Sequence, residues 1–351
     1  MTAETAKIAV YGAGAMGTVL GAFLTAGGLY VDLITRNQAH VTGLREQGAT
    51  IVCQADGVER NIKVHAIFPS EMAEKYDVIF LMTKQRQNSE ILEFLLNKLS
   101  PNGVICTTQN GLPESGIAEI IGKERTYGAV ASFGATFLGE GRVALTSKLD
   151  GMRIKLGGYQ NSGNALPLLE NILSYAAKVT NKNLVSVTDN LLGARWAKLA
   201  INAAFSGLSV VTGMTFGEVA QKDKTRKIAL GVLRECIKVA QAAGVKMEKM
   251  QGFDMEKMLG GTSVFSRFIA YMVLPFAMSK HKNLVSGMLM DIQNGRKCEI
   301  DFIDGVVVKE GVKYGVETPL CAQIVEIVHG IENGLYELDY SNTDFFCALK
   351  G

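Results

Sequence analysis

The sequence predicts a two-part chain: an α/β N-terminal domain built on a doubly wound parallel sheet, followed by an all-helical C-terminal half. Three observations carry this reading. Short apolar runs alternate with helical patterns through the first half, a glycine turn joins the first run to the first helix, and long amphipathic patterns replace strands from Leu191 onward. Strands alternating with helices imply parallel β-α-β units with right-handed crossovers. A length of 351 residues is enough for two domains with separate cores.

The elements follow in order. Ile8 to Tyr11 reads as a buried strand and Met16 to Thr25 as a helix. YVDLIT (Tyr30 to Thr35) and DVIFLMT (Asp77 to Thr83) read as strands, Ser89 to Leu99 as a helix, and GVICTTQNG (Gly103 to Gly111) as a strand with its turn. Segments at Tyr127 to Val143 and Met152 to Leu156 are expected to complete that sheet. The polar NKN places the domain boundary near Asn181 to Val185, giving domains 1–182 and 183–351. Helices are expected over Leu191 to Val211, Thr225 to Ala243, Val285 to Asn294, Glu299 to Tyr314 and Ala322 to Leu335, with Gly244 and Gly315 at C-terminal caps. The Met-rich region Met247 to Met278, with Met247, Met250, Met255 and Met258, reads as helical core or contact surface. An exposed Met and aromatic surface there would favour a homodimer.

Composition narrows the function classes. Apolar residues make up 48% and charged residues 20%, as in a soluble globular protein, and 36 basic against 34 acidic side chains give a net charge of +2. That balance points to no nucleic-acid or membrane-surface partner. MTAETA lacks the basic start and apolar core of a secretion signal, and Val264 to Met278 is interrupted by Arg267 and Pro275. A cytoplasmic location is the expectation. Six scattered cysteines without a C-x-x-C pair, and four histidines, argue against a metal site or disulfide framework.

The stretch KIAVYGAGAMG places Gly12, Gly14 and Gly17 in G-x-G-x-x-G spacing between a strand and a helix, the context a dinucleotide pyrophosphate needs. The turn residues Gly12, Ala13, Gly14, Ala15, Met16 and Gly17 are therefore candidate cofactor contacts. An acidic residue ending the second strand would bind the ribose of NAD, but here Asp32 lies inside the strand and Arg36 with Asn37 ends it. A guanidinium there suits the extra phosphate of NADP(H), and Lys84 can add a second charge. Each also reads as an ordinary surface cation.

In the helical half, Lys198, Asn202 and Ser206 recur at i, i+4 steps beside an apolar face of Leu199, Ala203 and the chain's only tryptophan, Trp196. From this helix alone, a solvated polar stripe is the ordinary reading.

Five motifs in order make the chain resemble the ketopantoate reductase family, the 2-dehydropantoate 2-reductases and related D-2-hydroxyacid dehydrogenases. They are GAGAMG at Gly12 to Gly17, TK at Thr83 to Lys84, QNG at Gln109 to Gly111, WAKLAIN at Trp196 to Asn202, and EIDFIDG at Glu299 to Gly305. The resemblance implies a Rossmann domain, a helical domain, and a cleft where NADPH reduces a small-molecule 2-oxo acid. It implies Lys198 as general acid, Asn202 as substrate ligand, Asn110 near nicotinamide and substrate, Glu299 as a carboxylate on the nicotinamide ribose, and Ala135 against the cofactor. Hydride delivery to a ketone creates an alkoxide, so a cation that donates a proton belongs beside it. Lys198 fits that need, with Glu299 the expected partner tuning its proton affinity.

Three positions depart from the pantoate-forming pattern. Ser206 stands where a second helix asparagine is usual, Phe216 replaces a polar substrate ligand, and Gly287 matches a serine, although Ser286 precedes it and Asp291 is retained. Ser206 and Ser286 remain candidate substrate contacts. The expected function is NADPH-dependent reduction of a 2-oxo acid such as 2-dehydropantoate. A D-2-hydroxyacid dehydrogenase acting on a branched or aromatic substrate and a catalytically silent NADP-binding sensor are the alternatives.

Overall fold

The computed structural model describes residues 1–351 apart from 74, 250–253, 260, 262, 280–281 and 348–351. The chain divides into two compact units, Met1–Gln109 with Pro113–Leu191, and Asn110–Leu112 with Leu192–Gly351.

The first unit carries strands β1 (Ile8–Tyr11), β2 (Val31–Ile34), β3 (Ala49–Cys53), β4 (Val58–Ile62), β5 (His65–Ile67), β6 (Tyr76–Leu81), β7 (Leu99–Thr107), β8 (Thr126–Ala131), β9 (Ala135–Gly139), β10 (Arg142–Leu145), β11 (Ile154–Gly158) and β12 (Val185–Val187). Eight of them form one sheet in the order β12-β11-β8-β7-β6-β1-β2-β5. β1 pairs parallel with β2 on one side and β6 on the other, so the winding reverses there. In open α/β sheets that reversal opens a ligand crevice at the strands' carboxyl ends.

Side chains alternate across this sheet with the period of two that a strand imposes. Ile8 and Val10 join Leu33, Val78 and Phe80 in a core closed by helices Ala15–Ala26 and Leu166–Val179. Ala9 and Tyr11 face the other way, with Ile34, Ile79 and Leu81, under helices Asn88–Leu96 and Glu114–Ile121. Burial on both faces explains why these strands read as continuous apolar runs.

The expected completion of the sheet holds for β8 and β11 and fails for β9 and β10. Those two join β3 and β4 in a separate sheet ordered β4-β3-β10-β9. The chain leaves β8 through Gly134, where a Cβ would stand 2.5 Å from Thr146 Oγ1, and β10 then pairs parallel with β3. β3 and β4 form an antiparallel hairpin around Asp56-Gly57, with Gly57 at φ +71°. β11 runs antiparallel to β8, which departs from the all-parallel expectation.

The second unit is helical. Its main helices are Leu191–Asn202, Asp223–Ala242, Val264–Ala277, Asp304–Tyr314 and Pro319–Glu332, packed around a core that includes Trp196, Phe205, Phe216 and Ile300. Gly244 and Gly315 lie just beyond helix ends at φ +71° and +69°, the left-handed conformation that closes a helix at low cost. The buried Glu235 carboxylate accepts the N–H groups of Leu320 and Cys321 at 2.9 Å each and so caps helix Pro319–Glu332. Met247, Met255 and Met278 are core residues and Met258 packs on them, while Met250 lies outside the described residues. Phe265, Phe268, Ile269, Met272 and Phe276 are exposed, so the region is core on one face and apolar surface on another. No helix among the described residues is long and apolar enough to cross a membrane. The fold is therefore a Rossmann-like N-terminal domain with an α-helical C-terminal domain.

Candidate functional site

The three glycines of the first turn differ in what they do. Gly12 adopts φ +100°, and a Cβ on it would stand 2.5 Å from the Thr83 backbone nitrogen. A Cβ on Gly17 would stand 2.3 Å from the Gly12 carbonyl oxygen. Both glycines are required by the fold itself. A Cβ on Gly14 would meet nothing within 4 Å, so nothing in the domain demands a glycine there. That bare space faces the start of helix Ala15–Ala26, which has no side-chain cap and no acidic residue in its first turn. First-turn N–H groups of a helix lack intrahelical partners and attract anions. Gly12 and Ala13 instead donate their N–H groups to Ile34 O, both at 2.9 Å, which leaves Ala15, Met16 and Gly17 as the anion-facing donors. The cradle fits a dinucleotide pyrophosphate.

Beside it, Asp32 cannot serve a ribose. It is buried within β2, where His65 Nδ1 and the Tyr76 hydroxyl each approach its carboxylate oxygens at 2.6 Å. Asn37 is also committed, since its side chain caps helix Gln38–Gln47 by accepting His40 N–H. The end of β2 thus presents Arg36, exposed and hydrogen-bonded to Gln87 Oε1 in the segment after β6. Lys84 is exposed in that same segment. Ala135 opens β9 opposite Leu145 in the second sheet.

Two supports of this region escaped the sequence reading. Gln109 lies two residues beyond β7 and donates to Thr83 O at 2.8 Å and Asn88 Oδ1 at 2.7 Å, tying the β7 end to the TK segment. His40 accepts the Gly141 N–H on Nδ1 at 3.0 Å, so its Nε2–H points to Thr18 Oγ1 at 2.9 Å. Thr18 in turn reaches Ala13 O at 3.4 Å, which links the second sheet to the glycine turn. Burial pushes His40 down to about 4, so the neutral tautomer is the structural one.

In the helical unit, Lys198 and Asn202 are half-buried on helix Leu191–Asn202, between buried Trp196, Ala197 and Leu199. They do not form a solvated stripe. Lys198 keeps some accessible surface, yet it is enclosed closely enough that burial, with the Arg195 guanidinium, pushes its ammonium down to about 7. Burial is the larger cause, and both causes act in the same direction. The Arg195 guanidinium, one helical turn earlier and fully buried, is a charge that adds to burial in this shift. The pair was visible as R-x-x-K, an i, i+3 spacing.

Ser206 does not continue the α-helical stripe. Ala203–Gly207 form a π-helical turn before helix Leu208–Thr212, which rotates Ser206 out of register and buries it. Such widened turns are rare and occur frequently at functional sites. Gly207 in that turn lies against Asp304, whose Oδ2 would be 2.8 Å from a Cβ there. Phe216 is a core residue stacked near Phe205, ring centroids 5.5 Å apart. Ser286 caps helix Gly287–Gln293 by accepting Leu289 N–H at 2.9 Å, with its own O–H still able to donate. A Cβ on Gly287 would meet nothing within 4 Å. Glu299, half-buried, precedes the turn Ile300–Phe302, and Asn110 precedes Gly111 at φ +78°. Burial pushes the neighbouring Cys298 thiol up to about 12, so it is no nucleophile.

Comparison with known proteins matches both units. The family model for ketopantoate reductase PanE/ApbA matches residues 8–161, and that for ketopantoate reductase PanE/ApbA C terminal matches residues 190–332. A 2-dehydropantoate 2-reductase of Streptococcus pyogenes serotype M6 is 26% identical over 92% of this chain and 97% of its own. One from Pyrococcus abyssi is 27% identical over 93% and 98%. A solved D-mandelate dehydrogenase, in a ternary structure with NADH and anilino(oxo)acetate, has TM-score 0.78 at 25% identity, covering 94% of this chain and 99% of that one. A PanE/ApbA family ketopantoate reductase from Ralstonia eutropha JMP134 shares the fold, with TM-score 0.76 at 23% identity over 94% and 99%. With both units matched, and with a helix start suited to a pyrophosphate, the chain belongs to the ketopantoate reductase PanE/ApbA family of NAD(P)-binding oxidoreductases.

Proposed function

We propose that the protein reduces a 2-oxo acid to its 2-hydroxy acid with NADPH, and that 2-dehydropantoate is the substrate. The observation that carries the reduction step is Lys198, a half-buried ammonium pushed down to about 7 on a helix face shared with Asn202, and the likeness to 2-dehydropantoate 2-reductases favours that substrate. A lysine of that kind releases its proton near neutral pH, as a general acid must. When bound, the nicotinamide supplies the hydride that adds to the ketone carbon. The carbonyl electron pair then moves to oxygen, and Lys198 Nζ gives that oxygen its proton. Before transfer, the same N–H bond polarises the carbonyl.

The remaining roles follow from donor chemistry. Ala15, Met16 and Gly17 hold the pyrophosphate, Arg36 and Lys84 the additional phosphate of NADP(H), and Ala135 and Asn110 flank the cofactor. Glu299 accepts from the nicotinamide ribose. Asn202, Ser206 and Ser286 offer neutral hydrogen bonds to the substrate's carboxylate and hydroxyl groups. NADPH is favoured over NADH because β2 ends in a cation while its only carboxylate is sequestered by His65 and Tyr76.

A second reading draws on Phe216, which replaces a polar ligand with core aromatic surface, and on the likeness to D-mandelate dehydrogenase. It makes the protein a D-2-hydroxyacid dehydrogenase of branched or aromatic substrates. Steady-state oxidation of NADPH and NADH with 2-dehydropantoate beside such 2-oxo acids separates the two. The proposal expects the highest kcat/KM for 2-dehydropantoate with NADPH, and a higher value for an aromatic acid would select the second reading. Tight NADPH binding without turnover would leave only a sensor.

A further inference from the structure

We propose that the helical unit carries a separate site for an organic oxyanion, a carboxylate or phosphate borne on an apolar body, between Arg234 and Arg267. A cavity of about 640 Å³ opens along helices Asp223–Ala242 and Val264–Ala277, and both arginines line it. Its apolar lining includes the buried side chains of Ile228, Leu320 and Phe346, with Phe268 at the rim. None of these residues belongs to the machinery assigned above.

The charges lining the cavity do not cancel. Among the described residues lining it, Asp223 is the one carboxylate, and both oxygens are engaged: Tyr271 donates its hydroxyl to Oδ1 at 2.7 Å, and Lys227 Nζ lies 2.9 Å from Oδ2. That carboxylate therefore neutralises the lysine. Neither Arg234 nor Arg267 has an ion pair among the described residues, and Arg234 Nε is buried without a hydrogen-bond partner. Burial and the like charge of Arg267 both disfavour the ionised form of Arg234. Leaving the buried Arg234 donor unpaired is costly, and the Arg267 charge facing the same space repels it. An oxyanion removes both penalties, because the planar guanidinium fork donates paired N–H bonds to carboxylate or phosphate oxygens. The apolar lining adds affinity only for a ligand with a hydrocarbon part. Inorganic phosphate satisfies the arginines alone.

The test is calorimetric titration of the full chain carrying Lys198→Ala, Arg36→Gln and Lys84→Gln, which removes the catalytic cation and the cofactor-phosphate cations as competing anion sites. The probes are 4-phenylbutyrate, phenyl phosphate and inorganic phosphate at constant ionic strength. Saturable one-site binding of at least one organic anion, tighter than inorganic phosphate, is expected, and the two organic probes distinguish carboxylate from phosphate. Adding Arg234→Gln or Arg267→Gln should weaken it about tenfold or more, as loss of a bidentate charged pair does. Arg267 is exposed, so Arg267→Gln carries the test if Arg234→Gln fails to fold. Unchanged affinity in the arginine variants, no saturable binding of either organic anion, or inorganic phosphate binding as tightly would each overturn the proposal. A failed reductase assay leaves it untouched, because no step here uses turnover.

Discussion

If Lys198 donates the proton, the rate of ketone reduction must follow its protonated fraction. Burial and the Arg195 charge bring that group from 10.5 to about 7. At about pH 6 the ammonium is then mostly protonated, and at about pH 9 only about 1% of it is. The kcat for 2-oxo acid reduction should therefore fall roughly a hundredfold across that range, about tenfold per pH unit on the alkaline side. Oxidation of the 2-hydroxy acid needs the neutral amine, so its rate should rise over the same window and level off above it. An unperturbed lysine would leave reduction flat to about pH 9 and let oxidation keep rising about tenfold per pH unit to about pH 10. Lys198→Arg tests the same point, since a guanidinium keeps the charge but does not release its proton at these pH values. It should lower kcat by about two orders of magnitude or more with a smaller change in KM. The assay is NADPH absorbance under saturating cofactor. Reduction that keeps its full rate at about pH 9, or a Lys198→Arg enzyme of near wild-type kcat, would refute Lys198 as the acid.

Other perturbations separate fold from function. Gly14→Ala introduces no clash, so it should leave thermal stability unchanged while weakening NADPH binding in a fluorescence titration. Gly12→Ala, at φ +100° and 2.5 Å from the Thr83 nitrogen, should cost roughly 1–3 kcal/mol in denaturant melts. His40 has a folded value of about 4 against 6.5 unfolded, so the unfolded chain takes up the proton first as pH falls. Stability should thus decline between pH 6.5 and 4, by up to roughly 3 kcal/mol, and a His40→Gln variant should lack that slope. Asp304 is fully buried, neither carboxylate oxygen has a hydrogen-bond partner among the described residues, and burial raises its proton affinity well above 3.8. Unfolding releases that proton above pH 3.8, so Asp304→Asn should raise the melting temperature at neutral pH and not near pH 4.

What the sequence revealed about the fold and the candidate site was local. The strand, glycine turn and helix of residues 8–26 are contiguous, and their pattern of Ile8 to Gly17 states both the buried strand and the bare helix start. The Lys198 and Asn202 spacing was equally readable, because a regular helix maps sequence separation onto one face. The second sheet was not readable, since it pairs Thr50 with Arg142 across 92 positions, although Asp56-Gly57 marked one of its hairpins. The π turn was hidden for a different reason. Ala203–Gly207 contain no residue that demands it, and its partners Asp304 and Ile324 come from distant helices packed against Gly207. Electrostatic details were hidden as well: the burial of Arg195 beside Lys198, and the closing of His65 and Tyr76 on Asp32, come from packing between segments far apart in the chain.

The most direct test of the central claim is to follow the hydride itself. The purified protein would be given 2-dehydropantoate and NADPH carrying deuterium at the transferable position of the nicotinamide, and the product acid examined by mass spectrometry. The account predicts 2-hydroxy acid with one deuterium on the former ketone carbon, formed by the wild-type chain and not by Lys198→Ala. Bound NADPH that delivers no deuterium to 2-dehydropantoate or to any other 2-oxo acid would contradict it.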